Sequence, residues 1–398
     1  MRKRPERVRT AGAPWRFGLL LALALAALFM ARPVSLSGDI LEYSVNTVGI
    51  AAHGTPDIRI DDLERTKALA PERFTPLFAL LQDEIRRGVR DVYPAFARGD
   101  SGNVYSVHFF GYAMMAALPL RLLEAAGQAP FKAFQAVNLA CVFVLGLALR
   151  RFFGSDLRAW TGLALFMLCG GVLYWAWSSP ETVGAAALLA GLLLFTSGMP
   201  VAGSLLAGLA AQQNPTIVFF FLFAPLIRAQ VARIQPVAPV SLRRMLAGLG
   251  LGLALVAVPV LFNLVEYGVP NLIASRFSRP ALVGTTRLLS FFFDLNQGMW
   301  LAIPGVLLAL LAARGRALRL LLLCFAFTLA LALPALAVIN WNSGAAGPMR
   351  YAFWSAMPLL FALLAMLREL PRWRPAPLLA VLALQGLAMA HALQYEYN

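Results

Sequence analysis

The 398-residue sequence is short of charge, of lysine, of histidine and of cysteine. Charged residues make up 13% of it, about half the usual share, and apolar residues 60% against about 45 to 50% in soluble domains. Those two figures exclude an ordinary soluble protein. Cys141, Cys169 and Cys324 each lie inside an apolar run with no metal-like spacing, and read as small hydrophobes. His53 and His391 have no partner in sequence and are assigned structural roles. The chain has no internal repeat, and no small-x-small cleavage site follows its first apolar run.

What is present is a formal charge of +15 and a series of long Leu- and Ala-rich runs. A surplus of that size invites a nucleic-acid reading until the charges are placed. The apolar runs show no period-two alternation, and in lipid each segment must satisfy its own backbone, so they are predicted to be helices. The first, 17–34, follows a basic head with Arg2, Lys3, Arg4, Arg7, Arg9 and Arg16, and is read as an uncleaved anchor with its N-terminus in the cytoplasm. Further spans are predicted at 131–149, 159–177, 182–198, 201–213, 216–227, 245–263, 299–313, 320–338, 353–367 and 376–392. The expected fold is an all-α polytopic membrane protein with about 11 transmembrane helices, range about 10 to 13. Its predicted parts are a cytoplasmic head (1–16), a first transmembrane helix (17–36), an outer acidic loop with juxtamembrane helices (37–125) and a multi-helix transmembrane domain (126–398).

Charge supports this layout. The predicted inner side holds 19 Lys and Arg against Glu6, Asp156 and Glu369, and the outer side is nearly neutral. Every charged inner loop obeys the positive-inside rule, so the surplus reads as topology, aided by an anionic inner leaflet. A crossing at 107–125 would move Arg150, Arg151 and Arg158 outside, so that stretch is predicted to lie in the outer interface. Residues 37–106 carry 11 of the 19 acidic residues, and a loop of this length is usually functional. Within it, 39–52 has helical spacing, 61–90 reads as amphipathic helix broken at Pro71 and Pro76, and Gly99-Asp100-Ser101-Gly102 is a turn.

The polar residues of interest fall at predicted outer helix ends: Asp39, Glu42, Tyr43, Asp100, Tyr105, His108, Glu181, Asn214, Asp294, Gln297, Trp341, Asn342 and Arg350. Asp39 and Glu42 are spaced i, i+3 on one helix face, which suits a general base and an orienting partner; equally, Asp39 can serve as a helix cap. Tyr105 and His108 sit where a polar turn enters an apolar helix, facing a cleft or forming an interfacial aromatic belt. Arg350 follows the small-residue loop Asn340 to Met349, at the depth where a lipid phosphate would be gripped, or where an arginine would snorkel. Ser179-Pro180-Glu181 has the form of a helix start. Gly248, Gly250 and Gly252 are read as helix-packing residues, because no strand precedes them to make a phosphate loop.

Three motifs in order, Gly38-Asp39-x-x-Glu42-Tyr43, then Asp100-x-Gly102-x-x-Tyr105-Ser106 running to Gly111-Tyr112, then Trp341-x-x-Gly344-x-x-Gly347-x-x-Arg350-Tyr351, resemble bacterial members of the GT-C superfamily. These are integral-membrane glycosyltransferases that use polyprenyl-phosphate sugars, similar to the family 39 mannosyltransferases and lipid A aminoarabinose transferases. The resemblance covers about two thirds of the chain. It implies transfer, with inversion, from a polyprenyl-phosphate donor to a lipid, glycan or protein acceptor on the outer face of the bacterial cytoplasmic membrane. Asp39 would be the general base, with Glu42 beside it, and Arg350 would stabilise the leaving phosphate. Tyr43, Asp100, Tyr105, His108, Gln297, Trp341 and Tyr351 would bind substrate. Two departures stand out: Ile40 where many relatives have a second acid, so that Glu42 would substitute, and Asn214-Pro215 where relatives often have Arg-Pro. No ligand spacing demands a metal, although a divalent cation could accompany the lipid phosphate. A lipid or solute transporter and a non-catalytic member of an envelope-assembly complex are the competing readings; near absence of ionisable groups from the inner halves of the spans argues against a transporter.

Overall fold

The computed structural model describes residues 14–36, 38–92, 95–344, 348–369 and 375–394. It is mostly helical, at 74%. Most of the basic head lies outside the described residues. Helix α1 (Pro14–Ala31) buries Phe17, Leu21 and Leu25 and leaves Leu19, Leu20 and Leu23 exposed, an apolar outer face that suits lipid and not water.

The acidic segment folds first into α2 (Ile40–His53), which Gly54 ends at φ 78° in the left-handed region that glycine tolerates. Then come β1 (Asp57–Ile58), α3 (Ile60–Leu69), α4 (Pro71–Arg86), β2 (Asp91–Val92), β3 (Phe96–Arg98) and β4 (Val104–Ser106). The strands pair antiparallel in the order β1-β4-β3-β2. This small sheet corrects the all-helical expectation. Strands of two or three residues are too short to show a period-two pattern. The break at Pro71 is present, because proline suits the first turn of α4, whereas α4 runs on through Pro76 without interruption.

Helix α5 (Gly111–Ala125) packs on α2 and on α6 (Lys132–Phe153), with Met114, Leu118 and Leu122 exposed on its far side. Next are α7 (Asp156–Phe166), a π-helical turn at Met167–Gly171, and α8 (Val172–Tyr174). Helix α9 (Glu181–Thr196) is the axis of the bundle: every one of its residues is buried. Around it stand α6, α10 (Pro200–Gln213) and α11 (Phe220–Ala232).

Helix α12 (Leu242–Tyr267) lies tight against α10. A Cβ on Gly252 would stand 2.5 Å from the Ser204 carbonyl, and one on Gly248 would stand 2.9 Å from Pro200. Gly250 faces open space, so the packing glycines are the i, i+4 pair and not all three. The remaining helices are α13 (Leu272–Phe277), α14 (Thr285–Phe293), α15 (Met299–Ala302), α16 (Pro304–Leu311), α17 (Gly315–Leu336), α18 (Arg350–Ser355), α19 (Met357–Glu369) and α20 (Pro375–Ala392).

Each of the predicted apolar runs is helical over most of its length. Among the described residues, six helices are long and apolar enough to cross a membrane: 132–153, 156–174, 215–232, 242–267, 315–336 and 350–369. Three shorter apolar helices, 15–31, 181–196 and 376–392, accompany them.

Candidate functional site

One end of the bundle is closed by stitches between distant segments. Ser35 pairs with the stretch before α9, donating to the Ala176 carbonyl at 2.8 Å and accepting from Ser178 at 3.1 Å. Asn138 of α6 binds the same stretch through the Trp175 and Trp177 carbonyls, at 3.2 and 2.8 Å, and accepts from the Tyr112 hydroxyl at 3.2 Å. Gly38, at φ 66°, turns the chain above the Trp177 ring, where a Cβ would stand 3.2 Å from the indole. Asp39 and Glu181 are thereby brought to one place.

Arg350 arrives from the other side. The Tyr174 hydroxyl donates to the Pro348 carbonyl at 2.7 Å, and its ring stacks on Phe353 at 5.2 Å. The backbone amides of Met349 and Arg350 donate to the carbonyls of Gln297 (2.9 Å) and Ser343 (3.2 Å). So fixed, Arg350 Nη1 donates to Asp39 Oδ2 at 3.0 Å, across 311 residues of sequence. Glu181 Oε1 lies 4.0 Å from the same nitrogen, and His108 Nε2 lies 3.8 Å from Asp39 Oδ2. Asp39 Oδ1 makes no hydrogen bond among the described residues. The Arg350 guanidinium also covers the Tyr351 ring at 5.0 Å.

These groups line a cavity of about 380 Å³. Asp39, Tyr43, His108, Glu181, Arg350 and Tyr351 form its polar end, and Phe109, Val218, Phe219, Ile273 and Val338 belong to its apolar wall. The volume is in the range of small-molecule sites, and the mix of an apolar wall with a few convergent polar groups is typical of them. Arg350 Nε, Asn214 Nδ2 and Thr216 Oγ1 are buried in its wall and have no hydrogen-bond partner among the described residues.

The electrostatics of the carboxylate follow from these neighbours. Burial alone would raise the Asp39 pKa, but the charges of His108 and Arg350 and the hydrogen bond from Arg350 outweigh it and hold the group below its ordinary value. His108 is itself depressed, first by burial and then by Arg350, against the pull of Asp39. A depressed imidazole is neutral near pH 7, so Arg350 is the charge that keeps Asp39 ionised there. The Asp39 side chain remains 27% exposed, on the cavity side.

Of the residues singled out in sequence, Asp39, Tyr43, His108, Glu181, Asn214, Arg350 and Tyr351 meet here. The others do not. Glu42 is 7% exposed and turned into the packed side of α2, where burial and the Asp39 charge push its pKa up to about 7. Asp39 is the N-cap, at φ −77° and ψ 31°, so it leaves the helical register and the expected shared face is lost. Asp100 is at the tip of the β3–β4 hairpin, 67% exposed and 3.8 Å from Arg90. Tyr105 is spent on docking that hairpin: its ring meets Phe262 edge-on at 5.0 Å and its hydroxyl faces Glu266 at 3.4 Å. Gln297 serves through its backbone, and Trp341 stacks under Arg287 at 5.4 Å. Part of the loop before Arg350, residues 345–347, lies outside the described residues.

Sequence reasoning missed Gln213 and Trp354, which also line the cavity; Glu181 it placed among the polar outer helix ends, with the form of a helix start. Gln213 precedes a helix-ending Asn-Pro, and its amide holds the Phe109 carbonyl at 2.9 Å; the polar pair Gln212-Gln213 at an apolar helix end was the available signal. No group of three or more His, Cys, Asp or Glu that could hold a metal ion occurs among the described residues. Comparison of the chain with protein-family models, with curated proteins and with solved structures gives no match.

Proposed function

We propose that this chain is a membrane glycosyltransferase that moves a sugar from a polyprenyl-phosphate donor to a hydroxyl of a lipid, glycan or protein acceptor. The observation that carries the reading is the meeting of Asp39 and Arg350 at 3.0 Å in a cavity with one apolar wall. An ionised carboxylate with a free oxygen suits a general base. A guanidinium with an unpaired nitrogen suits a phosphate whose charge grows as the donor bond breaks.

In this mechanism Asp39 Oδ1 accepts the acceptor's proton as its oxygen attacks the anomeric carbon. The bond to the donor phosphate breaks on the opposite side, which inverts the centre. Arg350 takes up the phosphate charge and slides off Asp39 as it does so, freeing the second oxygen. His108, neutral, is available as a hydrogen-bonding group for the sugar, and the apolar wall receives the first prenyl units. By the positive-inside rule the basic end of the bundle is cytoplasmic, so the reaction belongs on the outer face of the bacterial inner membrane.

The test is transfer from a labelled polyprenyl-phosphate sugar by the full chain in lipid nanodiscs. Asp39→Asn is expected to lower the rate by about 10² to 10⁴-fold, the usual worth of a general base. Retained transfer would remove Asp39 from that role. Movement of a solute across sealed vesicles with no new glycosidic bond would make the chain a transporter instead.

A further inference from the structure

A second cavity, of about 290 Å³, lies at the other end of the same helices, lined by Arg151, Thr196, Ser197, Val237, Ala238 and Arg368. Helix α9 carries Glu181 in the first cavity and Thr196 in the second; its 16 residues span about 24 Å. The run from Arg350 to Glu369 links Arg350 to Arg368 in the same way, over about 30 Å. The two cavities are thus separated by about the thickness of a bilayer's hydrocarbon core.

The lining is that of an anion site. Arg150 is tied to Asp156, but among the described residues neither Arg151 nor Arg368 has a carboxylate partner within ion-pair distance. Arg368 lies over the Phe152 ring at 4.7 Å, which fixes its head without neutralising it. The C-terminus of α9 would repel an anion, but Arg228 covers it, donating to the carbonyls of Phe195 (3.1 Å), Thr196 (2.9 Å) and Ala238. Ser197 Oγ is buried at this cavity with no hydrogen-bond partner among the described residues.

We infer that this cavity binds a phosphate group, as the headgroup of an anionic phospholipid or as a free phosphate ester, held by Arg151 and Arg368 with Ser197. Basic pockets between helices at a cytoplasmic membrane surface are suited to such headgroups. The inference stands whether or not the first cavity transfers sugar.

The full chain is purified, and retention of phosphatidylglycerol against phosphatidylcholine is measured by native mass spectrometry. Glycerol phosphate is added separately to the detergent-solubilised protein, with thermal unfolding as readout. Wild type is expected to retain phosphatidylglycerol preferentially. The pair Arg151→Gln and Arg368→Gln is expected to weaken that retention roughly 30-fold, and Arg243→Gln, which does not line the cavity, to leave it unchanged. Ser197→Leu, which fills the space and leaves the charges alone, should lose retention as well. Protection by glycerol phosphate in detergent identifies a free ester as the ligand; phosphatidylglycerol retention without such protection identifies the lipid. Equal retention of both lipids with no protection by glycerol phosphate overturns the inference. Retention that survives Ser197→Leu, or that falls as far with Arg243→Gln as with the arginine pair, reduces the effect to a diffuse basic surface and also overturns it.

Discussion

Replacing Arg350 by glutamine tests the electrostatics of the first cavity most directly, because it alters a pH dependence. The guanidinium stands 3.0 Å from Asp39 and 4.0 Å from Glu181, so the substitution leaves two carboxylates facing each other. At an effective dielectric constant near 20, attraction at the 3.0 Å separation is about 5 kcal/mol. Desolvation of the 10% exposed arginine cancels part of this, and the 27% exposure of Asp39 screens more, leaving about 2 to 3 kcal/mol. The melting midpoint should drop by about 3 °C. In the wild type the Asp39 pKa is depressed, so its stabilisation is present above the unfolded value and lost as pH falls through the folded one. In the variant, burial is opposed by His108 alone, so the Asp39 pKa rises from its wild-type position. Its stabilising contribution above the unfolded value shrinks accordingly. The deficit relative to wild type should therefore be largest near about pH 7 and shrink as pH falls toward about pH 4. Tryptophan fluorescence during thermal unfolding of both proteins, in matched detergent, reads this difference. A deficit that is constant across the range would refute the claim that Arg350 holds Asp39 ionised.

Three further substitutions probe the frame around the cavity. Glu42→Gln removes a buried carboxyl that titrates at about 7; a raised pKa contributes stability below the unfolded value that is lost as pH rises, so the variant should flatten the fall in melting temperature between about pH 5 and 8, by up to ~3 kcal/mol. Glu266→Gln weakens the charge-assisted bond from Ser101 Oγ, at 2.8 Å, that clamps the β3–β4 hairpin to α12; it should cost about 1.5 to 3 kcal/mol locally, read as faster amide exchange over 96–106 with the exchange of α9 unchanged. Gly252→Ala puts a methyl 2.5 Å from the Ser204 carbonyl and 2.4 Å from Phe221, and should destabilise by about 1 to 3 kcal/mol, while Gly250→Ala, in open space, should be neutral or better by denaturation midpoint.

Helical runs were legible in the sequence because a long apolar segment has few other ways to satisfy its backbone. The start of α2 at Asp39 and the division of α3 from α4 at Pro71 were legible for local reasons, a turn ahead of a periodic run and a proline suited to a first helical turn. The sheet was not: Asp57–Ile58 is a strand only because Tyr105, 48 residues on, stands opposite it, and Asp91–Val92, paired with the nearby Phe96–Ala97, is too short to show a pattern. At the site, Asp39, His108 and Arg350 announced themselves as isolated polar groups at apolar boundaries. Glu181 stands at such a boundary too, but a helix-starting Ser-Pro-Glu also accounts for it. Asp100 and Tyr105 misled for the opposite reason. Their partners are Arg90 and Glu266, and Glu266 lies 161 residues from Tyr105. Only the tertiary fold shows that the hairpin uses Tyr105 to dock.

All 16 residues of helix α9 are buried, and it is enclosed by α6, α10, α11, α18 and α19. A helix so enclosed answers to shape before it answers to oiliness. Its neighbours fix how much volume each position may hold, whereas the surrounding lipid, which it does not touch, sets no thickness for it to match. Its four alanines and two glycines between Gly184 and Gly191 are therefore spacers, each setting the approach of an adjoining helix. Because this one helix carries Glu181 at one end and Thr196 at the other, a change in any spacer alters the seating of both cavities together.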